Sequence, residues 1–224
     1  MGPLYCETPP LIASFPVEPI NAWSNLFIIA LGIAAMILIR RRSSPGFWLL
    51  AILLVANGIG SLLWHGFRTP SYLIWDILPA IAFLLTLVYL WARRFYTRFR
   101  SLLVLLLFLL FEIGSLALGS AALPNGFFFV PVAPPMVILA AWFIAATYQH
   151  SKMATVFGTG SILSALIALL FRSVDTAVCT IFPIGTHFLW HILLSLGAFL
   201  GILTLMTLDA ARESTFRSKL RIDM

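Results

Sequence analysis

Charged residues are scarce in this chain: only 10% of its 224 residues are Asp, Glu, Lys or Arg, while 61% are hydrophobic. A soluble domain usually carries about 25% charged residues, so a surface of this composition is too apolar to face water. The mean hydropathy of +1.03 excludes a soluble globular domain for the same reason. The formal net charge of +6 does not indicate a nucleic-acid-binding protein, because the basic residues cluster beside apolar runs, where they set membrane topology.

Long polar stretches are also missing, and the chain instead repeats apolar runs of about 20 residues, the length of a helix that crosses a bilayer. The N-terminus lacks the basic segment that opens a secretory signal, so we expect the first run to be a retained helix. Pro131, Pro134 and Pro135 predict a kink at the start of the fifth run. The sequence therefore predicts an all-α membrane protein, a bundle of seven transmembrane helices at about 22–39, 47–65, 72–92, 101–120, 127–149, 153–171 and 186–208.

The basic residues also predict the orientation of the bundle. Placing the N-terminus outside puts 12 of the 14 Lys and Arg on the inner side and leaves only Arg68 and Arg172 outside. An excess of Lys and Arg in cytoplasmic loops is the usual topology signal of membrane proteins. We therefore expect an extramembrane segment at 1–21 outside, a transmembrane domain at 22–208 and a cytoplasmic tail at 209–224. Such a multi-pass protein fits a bacterial inner membrane, or the ER, Golgi or plasma membrane of a eukaryote.

Ionisable side chains inside apolar spans are costly, which makes each of them a candidate for function. Ser61 and His65 share one face of the second span, and His187 and His191 share one face of the seventh. Asp76 lies one turn into the third span. In the predicted topology all five residues fall within about 10 Å of the outer boundary, since two helical turns rise by roughly that distance. The sequence therefore predicts one site where spans two, three and seven meet.

Three histidines at one depth favour a metal site. Three neutral imidazoles with one open position are typical of catalytic zinc, which lowers the pKa of a bound water toward about 7. A closed structural site would need a fourth strong ligand, and neither cysteine is within helical reach of His65, His187 or His191. Asp76 could accept a proton from the water, or it could orient a histidine by accepting its ring N–H. Both roles of Asp76 remain open at this point.

The spacing Ser61-x-x-x-His65, then Asp76, then His187-x-x-x-His191 resembles the alkaline ceramidases, within the CREST superfamily of seven-helix membrane hydrolases. The N-terminal segment adds to the likeness. Cys6-Glu7, followed by the run from Glu18 to Asn25, is similar to the segment that leads into the first helix of those enzymes. The resemblance covers the chain from Cys6 to about Leu208.

The resemblance implies the roles of several residues. Zinc would be bound by His65, His187 and His191, with Asp76 on the zinc water and Ser61 available to stabilise an oxyanion. It also implies calcium at Glu7 and Glu18, but Leu4 and Pro9 stand where an Asp and an Asn are expected, and calcium takes six to eight oxygen ligands. The alternative is that Glu7 and Glu18 cap and anchor the first helix, because Glu18 precedes Pro19 and proline suits the first helical position.

The function expected from the resemblance is that of an intramembrane zinc-dependent amidase. It would hydrolyse ceramide or a related N-acyl membrane lipid to a free amine lipid and a fatty acid, with no nucleic acid and no obligate protein partner. The alternative is a lipid-sensing receptor or a haemolysin-like membrane protein of the same superfamily, with structural zinc. A transporter is less favoured, because the sequence shows no inverted repeat.

Cysteine is rare, with only two in the chain, and the predicted topology puts both outside. Disulfides persist on that side of a membrane, so we expect Cys6 and Cys179 to be bonded. The bond would tie the N-terminal segment to the start of the seventh helix. The other charged residues of the outer loops, Arg68, Arg172 and Asp175, are expected to be solvated.

Overall fold

The computed structural model describes residues 4–9, 14–40, 44–122 and 130–222, and within these ranges the secondary structure is entirely helical. Two short 3-10 turns lie at Val130–Val132 and Asp175–Ala177. The α-helices are α1 (Pro19–Ile39), α2 (Pro45–Phe67), α3 (Pro70–Ala92), α4 (Arg98–Ala122), α5 (Ala133–Tyr148), α6 (Lys152–Val174) and α7 (His187–Ile222).

The starts of these helices follow from local sequence. Pro19, Pro45 and Pro70 are the first residues of α1, α2 and α3, a position where proline loses no hydrogen bond because its N–H would be unpaired anyway. The α6 helix begins after Ser151, whose hydroxyl accepts a hydrogen bond from the Ala154 N–H at 3.2 Å. The apolar sequence between such starts must pair its backbone internally in lipid, and a helix does so within one segment.

Six of the described helices are long and apolar enough to cross a membrane, as expected of an integral membrane protein. The fifth span is shorter than the predicted 127–149: residues 127–129 lie outside the described ranges, and α5 has only 16 residues. At 1.5 Å per residue it is about 24 Å long, less than the roughly 30 Å of a hydrocarbon core. Pro131 lies in the 3-10 turn Val130–Val132, and Pro134 and Pro135 lie in the first turn of α5, so the α-helix begins only after that turn.

The seventh helix is longer than its predicted span of 186–208. It has 36 residues and continues to Ile222, so most of the predicted tail at 209–224 is helical. Its apolar run ends at Leu208, and the residues that follow are mostly polar or charged. The added residues include Arg, Glu and Lys, which are good helix formers, and loss of hydropathy does not by itself end a helix.

The apolar core lies at one end of the bundle, where α2 starts and where α3 and α7 run toward the inner side of the predicted topology. Phe47 and Leu50 of α2 are buried there against Trp91 of α3 and Leu205 and Leu208 of α7. The α4 helix is peripheral, with only 6% of its apolar window buried. The opposite end of the bundle contains most of the buried polar side chains.

Candidate metal centre

The predicted site residues gather at the end of the bundle where α2 finishes and α1, α3 and α7 begin. Ser61 and His65 lie in the last two turns of α2, Asp76 in the second turn of α3, and His187 and His191 in the first two turns of α7. The α6 helix also finishes at this end, with Asp175 just after it. The same layer therefore receives side chains from helices far apart in the sequence.

The three histidines converge. One nitrogen from each of His65, His187 and His191 lies within 4.8 Å of the other two, and all three side chains are buried. The ring centroids are 4.5 to 5.0 Å apart. Among the residues that the structure describes, this is the one group of three His, Cys, Asp or Glu able to hold a metal ion.

The arrangement of the ring nitrogens fits zinc. The Nε2 atoms of His65 and His187 are 3.3 Å apart, and two ligand nitrogens about 2.0–2.1 Å from a tetrahedral zinc are separated by roughly the same distance. His65 Nδ1 lies 2.5 Å from Glu18 Oε2, and His191 Nδ1 lies 2.7 Å from Ser24 Oγ. Oxygen partners at Nδ1 leave Nε2 of both rings for a metal, the usual arrangement around zinc-bound histidines.

Asp76 and Ser61 face each other across the contact between α2 and α3. Gly60 makes this contact possible, because a Cβ at that position would collide with the backbone carbonyl of Trp75. The Asn57 amide donates to the Asp76 carbonyl oxygen at 2.7 Å and holds the start of α3 in register. Ser61 Oγ is buried, has no hydrogen bond of ordinary geometry within the described ranges, and lies next to the Asp76 carboxylate. A serine hydroxyl and a carboxylate are therefore neighbours at this contact.

Glu18 stands directly behind His65. It is fully buried, and besides His65 it meets Arg68 Nε at 3.2 Å through Oε1, which also accepts a hydrogen bond from the Thr8 hydroxyl. Burial raises the pKa of the Glu18 carboxyl, while the Thr8 hydrogen bond and the Arg68 charge act in the opposite direction. Arg68, expected to be solvated, is thus part of a buried ion pair, and that expectation is wrong.

Glu7 caps the N-terminus of α1, although it lies 13 residues before Ile20 in the sequence. Its Oε1 accepts from the Ile20 N–H at 2.7 Å and its Oε2 from the Asn21 N–H at 2.8 Å. Burial raises the pKa of Glu7, and these two backbone hydrogen bonds lower it in part. A carboxylate at a helix N-terminus is favourable because unpaired N–H groups and the helix dipole are there. This contact agrees with the capping alternative for Glu7, and the calcium assignment of Glu7 and Glu18 stays a prediction.

Asp175 joins the N-terminal segment to the start of α7. Its Oδ1 accepts from the backbone N–H groups of Thr186 (2.7 Å) and His187 (2.9 Å), and its Oδ2 accepts from that of Cys6 (3.2 Å). The side chain is fully buried, so the expectation that Asp175 is solvated is wrong. Cys6 itself is bonded to Cys179, with their Cα atoms 5.1 Å apart.

The N-terminal segment covers the histidines with an aromatic ring. Tyr5 stacks on His187 with ring centroids 4.0 Å apart and lies 5.0 Å from His65. The guanidinium of Arg172 lies 4.6 Å from the Tyr5 ring centroid. Tyr5 is buried in this position. The disulfide and Asp175 therefore hold Tyr5 and its segment over the histidine cluster.

Sequence reasoning placed the three histidines but missed three of their neighbours: Ser24, Asp175 and Tyr5. The contacts of Ser24 with His191 and of Tyr5 with His187 join residues more than 100 positions apart, which periodicity does not reveal. For Asp175 one signal existed, since a lone acidic residue shortly before an apolar helix is a potential N-terminal cap.

Two comparisons bear on identity. The comparison with curated proteins gives no match. A model of the Ceramidase family matches residues 4–222, nearly the whole chain, including the N-terminal segment and every residue of the metal centre. Because the match spans nearly the whole chain, we conclude that this chain belongs to the Ceramidase family and is a ceramidase-like hydrolase.

Proposed function

We propose that the protein is an intramembrane zinc-dependent amidase that hydrolyses ceramide or a related N-acyl lipid to a free amine lipid and a fatty acid. The convergence of His65, His187 and His191 in one buried layer supports this proposal most directly. Ser61 and Asp76 lie at the same end of the bundle and would supply the hydroxyl and the carboxylate that amide hydrolysis at such a metal uses.

The proposed orientation places the metal centre near the outer surface, with the N-terminus outside and the C-terminus cytoplasmic. The excess of Lys and Arg at the opposite end of the bundle supports it. An N-acyl lipid has its amide near the membrane surface and its chains in the hydrocarbon. A site buried within two turns of the surface therefore suits such a substrate, whose chains can enter between helices.

The chemistry divides among few groups. Bound zinc would supply a Lewis acid that activates water at neutral pH and polarises the amide carbonyl. Asp76 would take the proton of the attacking water and return it to the leaving amine. Ser61 would donate a hydrogen bond to the carbonyl oxygen as negative charge develops on it. Tyr5 and the disulfide-tied segment would limit access of bulk water to these groups.

A lipid panel tests the proposal. Purified full-length protein in nanodiscs is loaded with zinc and incubated with ceramides, other N-acyl amines and matched esters, and the products are measured by mass spectrometry. We expect steady release of fatty acid and free amine from at least one amide. Faster release from the esters would show that the hydrolase acts on another bond. Zinc-loaded protein that releases no fatty acid from any lipid would favour the receptor alternative.

A further inference from the structure

The carboxylate of Glu18 lies at the centre of a polar network that the reaction does not use directly. It touches His65 of α2, Arg68 at the end of the same helix, and Thr8 of the N-terminal segment. Two backbone hydrogen bonds hold these groups in register, from the Val17 N–H to the Gly66 carbonyl (2.9 Å) and from the Glu18 N–H to the His65 carbonyl (3.1 Å). Glu18 is therefore fixed relative to His65 by both backbone and side chain.

The contact decides which nitrogen of His65 can bind a metal. A carboxylate 2.5 Å from Nδ1 favours a proton on that nitrogen, which leaves the lone pair on Nε2. The same Nε2 lies 3.3 Å from His187 Nε2, inside the three-histidine cluster. A carboxylate behind a zinc ligand also increases the basicity of the ring and fixes its orientation.

Arg68 is itself held rigidly. It ends α2 in the left-handed conformation, with φ of 55°, and its N–H bonds to the Trp64 carbonyl at 2.7 Å. Its guanidinium lies 4.1 Å from the Trp64 ring centroid and 5.2 Å from that of Tyr5. Only 6% of its side chain is exposed. The structure thus places a fixed positive charge against Glu18.

The hydrogen bonds of Glu7 and Glu18 do not fit a calcium ion bound between these two residues. Calcium takes six to eight oxygen ligands, but both Glu7 oxygens accept from the backbone of α1. Both Glu18 oxygens have donors, and Leu4 and Pro9 contribute no side-chain oxygen. A guanidinium beside Glu18 would also repel a divalent cation.

We propose that Glu18 is a positioning residue that orients His65 toward the metal. We also propose that the Arg68 guanidinium, and not a calcium ion, holds Glu18 in this position. The first part rests on the proposed zinc centre. The second part predicts that zinc binding and stability do not depend on calcium.

Metal affinity tests the proposal without any assay of hydrolysis. Full-length protein in nanodiscs, freed of calcium on a chelating resin, is titrated with zinc against a competing chelator and with Co²⁺ by visible absorption. We expect Glu18→Ala to weaken zinc binding by about 10–100-fold, the usual effect of losing a partner behind a ligand. Glu18→Gln, whose amide oxygen can still accept from Nδ1, should weaken it by roughly tenfold, and Arg68→Gln by a few-fold. All three should alter the Co²⁺ spectrum.

Matched controls are available at the other end of the molecule. Glu213→Gln removes the charge of an exposed carboxylate of α7, and Arg94→Gln removes an ion pair far from the histidines. Both variants should bind zinc like the wild type. Adding millimolar calcium to wild-type protein should change neither its zinc affinity nor its melting temperature.

The outcomes separate this proposal from the proposed function. Unchanged zinc affinity and Co²⁺ spectrum in both Glu18 variants would overturn the positioning role, even in a protein that hydrolyses amides. A calcium-induced rise in melting temperature or zinc affinity would overturn the role of Arg68. A wild type that binds neither zinc nor Co²⁺ would overturn both parts. Conversely, the expected affinity pattern in a protein that hydrolyses no lipid would support the positioning role and contradict the proposed function.

Discussion

The two ends of the bundle are built from different interactions. The end with the metal centre has buried carboxylates, three buried imidazoles and a disulfide, and its side chains are held by directional hydrogen bonds. The opposite end is packed with Phe47, Leu50, Trp91 and Leu205, and its main ion pair, between Arg94 and Asp209, lies partly exposed at the edge. The helices are continuous between the two ends, so both ends depend on the same backbone framework.

The difference suggests a division of roles. In lipid, helices associate through close packing and interhelical hydrogen bonds, because the tails are as apolar as the side chains. In the proposed orientation the end with the metal centre is the outer end and the opposite end is the inner end. Close packing at the inner end fixes where each helix lies, and the polar network at the outer end then orients individual side chains. Changes at the outer end should therefore affect metal binding and turnover first, and changes at the inner end should affect stability first.

The largest effect is expected from loss of a zinc ligand. His187→Ala should remove bound zinc and all measurable turnover, because two imidazoles alone leave an incomplete zinc site. Elemental analysis should find about one zinc per wild-type chain. The control is His150→Ala, an exposed histidine that contacts Phe95 at the inner end and should leave zinc content unchanged. Full zinc content in His187→Ala, or a wild type that stays zinc-free after loading, would contradict the proposed centre.

The next effect separates chemistry from metal binding. Asp76→Asn should retain zinc but lower turnover by about 10²–10⁴-fold, because an amide cannot accept the proton of the attacking water. Asp209→Asn makes the same substitution at the inner end and should leave turnover unchanged. If Asp76→Asn hydrolyses lipid at the wild-type rate, Asp76 serves only to orient its neighbours.

Some features of the two ends could be predicted from the sequence and others could not. Apolar runs of bilayer length predict helices, and six of them are confirmed as long apolar helices, because lipid leaves the backbone few alternatives. The spacing of His187 and His191, with the alternating direction of the helices, predicts that they share a layer with His65. The predicted ends of the helices were less accurate, because α5 is shortened by prolines and α7 extends through its charged residues.

Contacts made by the N-terminal segment could not be predicted in the same way. The Glu18–His65 contact joins residues 47 apart, and the Cys6–Asp175 contact joins residues 169 apart. The segment has no helical or strand periodicity from which its path could be inferred. Without the path, a buried acid such as Glu18 cannot be distinguished from a solvated one or from a metal ligand.

A smaller effect is expected from the apolar core of the inner end. Leu50→Ala should lower the free energy of unfolding by about 2 kcal/mol, the low end of the range for soluble proteins, because lipid tails replace part of the lost apolar contact. Leu50 is about 22 Å along α2 from His65, so zinc affinity should stay unchanged. Leu49→Ala, at a neighbouring position that is 46% exposed, is the control and should have little effect on stability. Weaker zinc binding in Leu50→Ala would show that the two ends are coupled.

The smallest effect is expected at the ion pair of the inner end. Arg94 binds both carboxylate oxygens of Asp209, at 2.8 and 3.0 Å, but 31% of the Asp209 side chain is exposed. Exposed pairs contribute about 0–1 kcal/mol, since solvent screens them and their side chains lose freedom when they pair. Arg94→Gln should therefore lower the free energy of unfolding by less than about 1 kcal/mol, with the loss reduced at high salt. A double-mutant cycle isolates the pairwise interaction. It compares Arg94→Gln, Asp209→Asn and the double variant by thermal unfolding in nanodiscs at two salt concentrations. A loss as large as that of Leu50→Ala would show that polar contacts stabilise the inner end as much as packing does, and the contrast between the two ends would no longer hold.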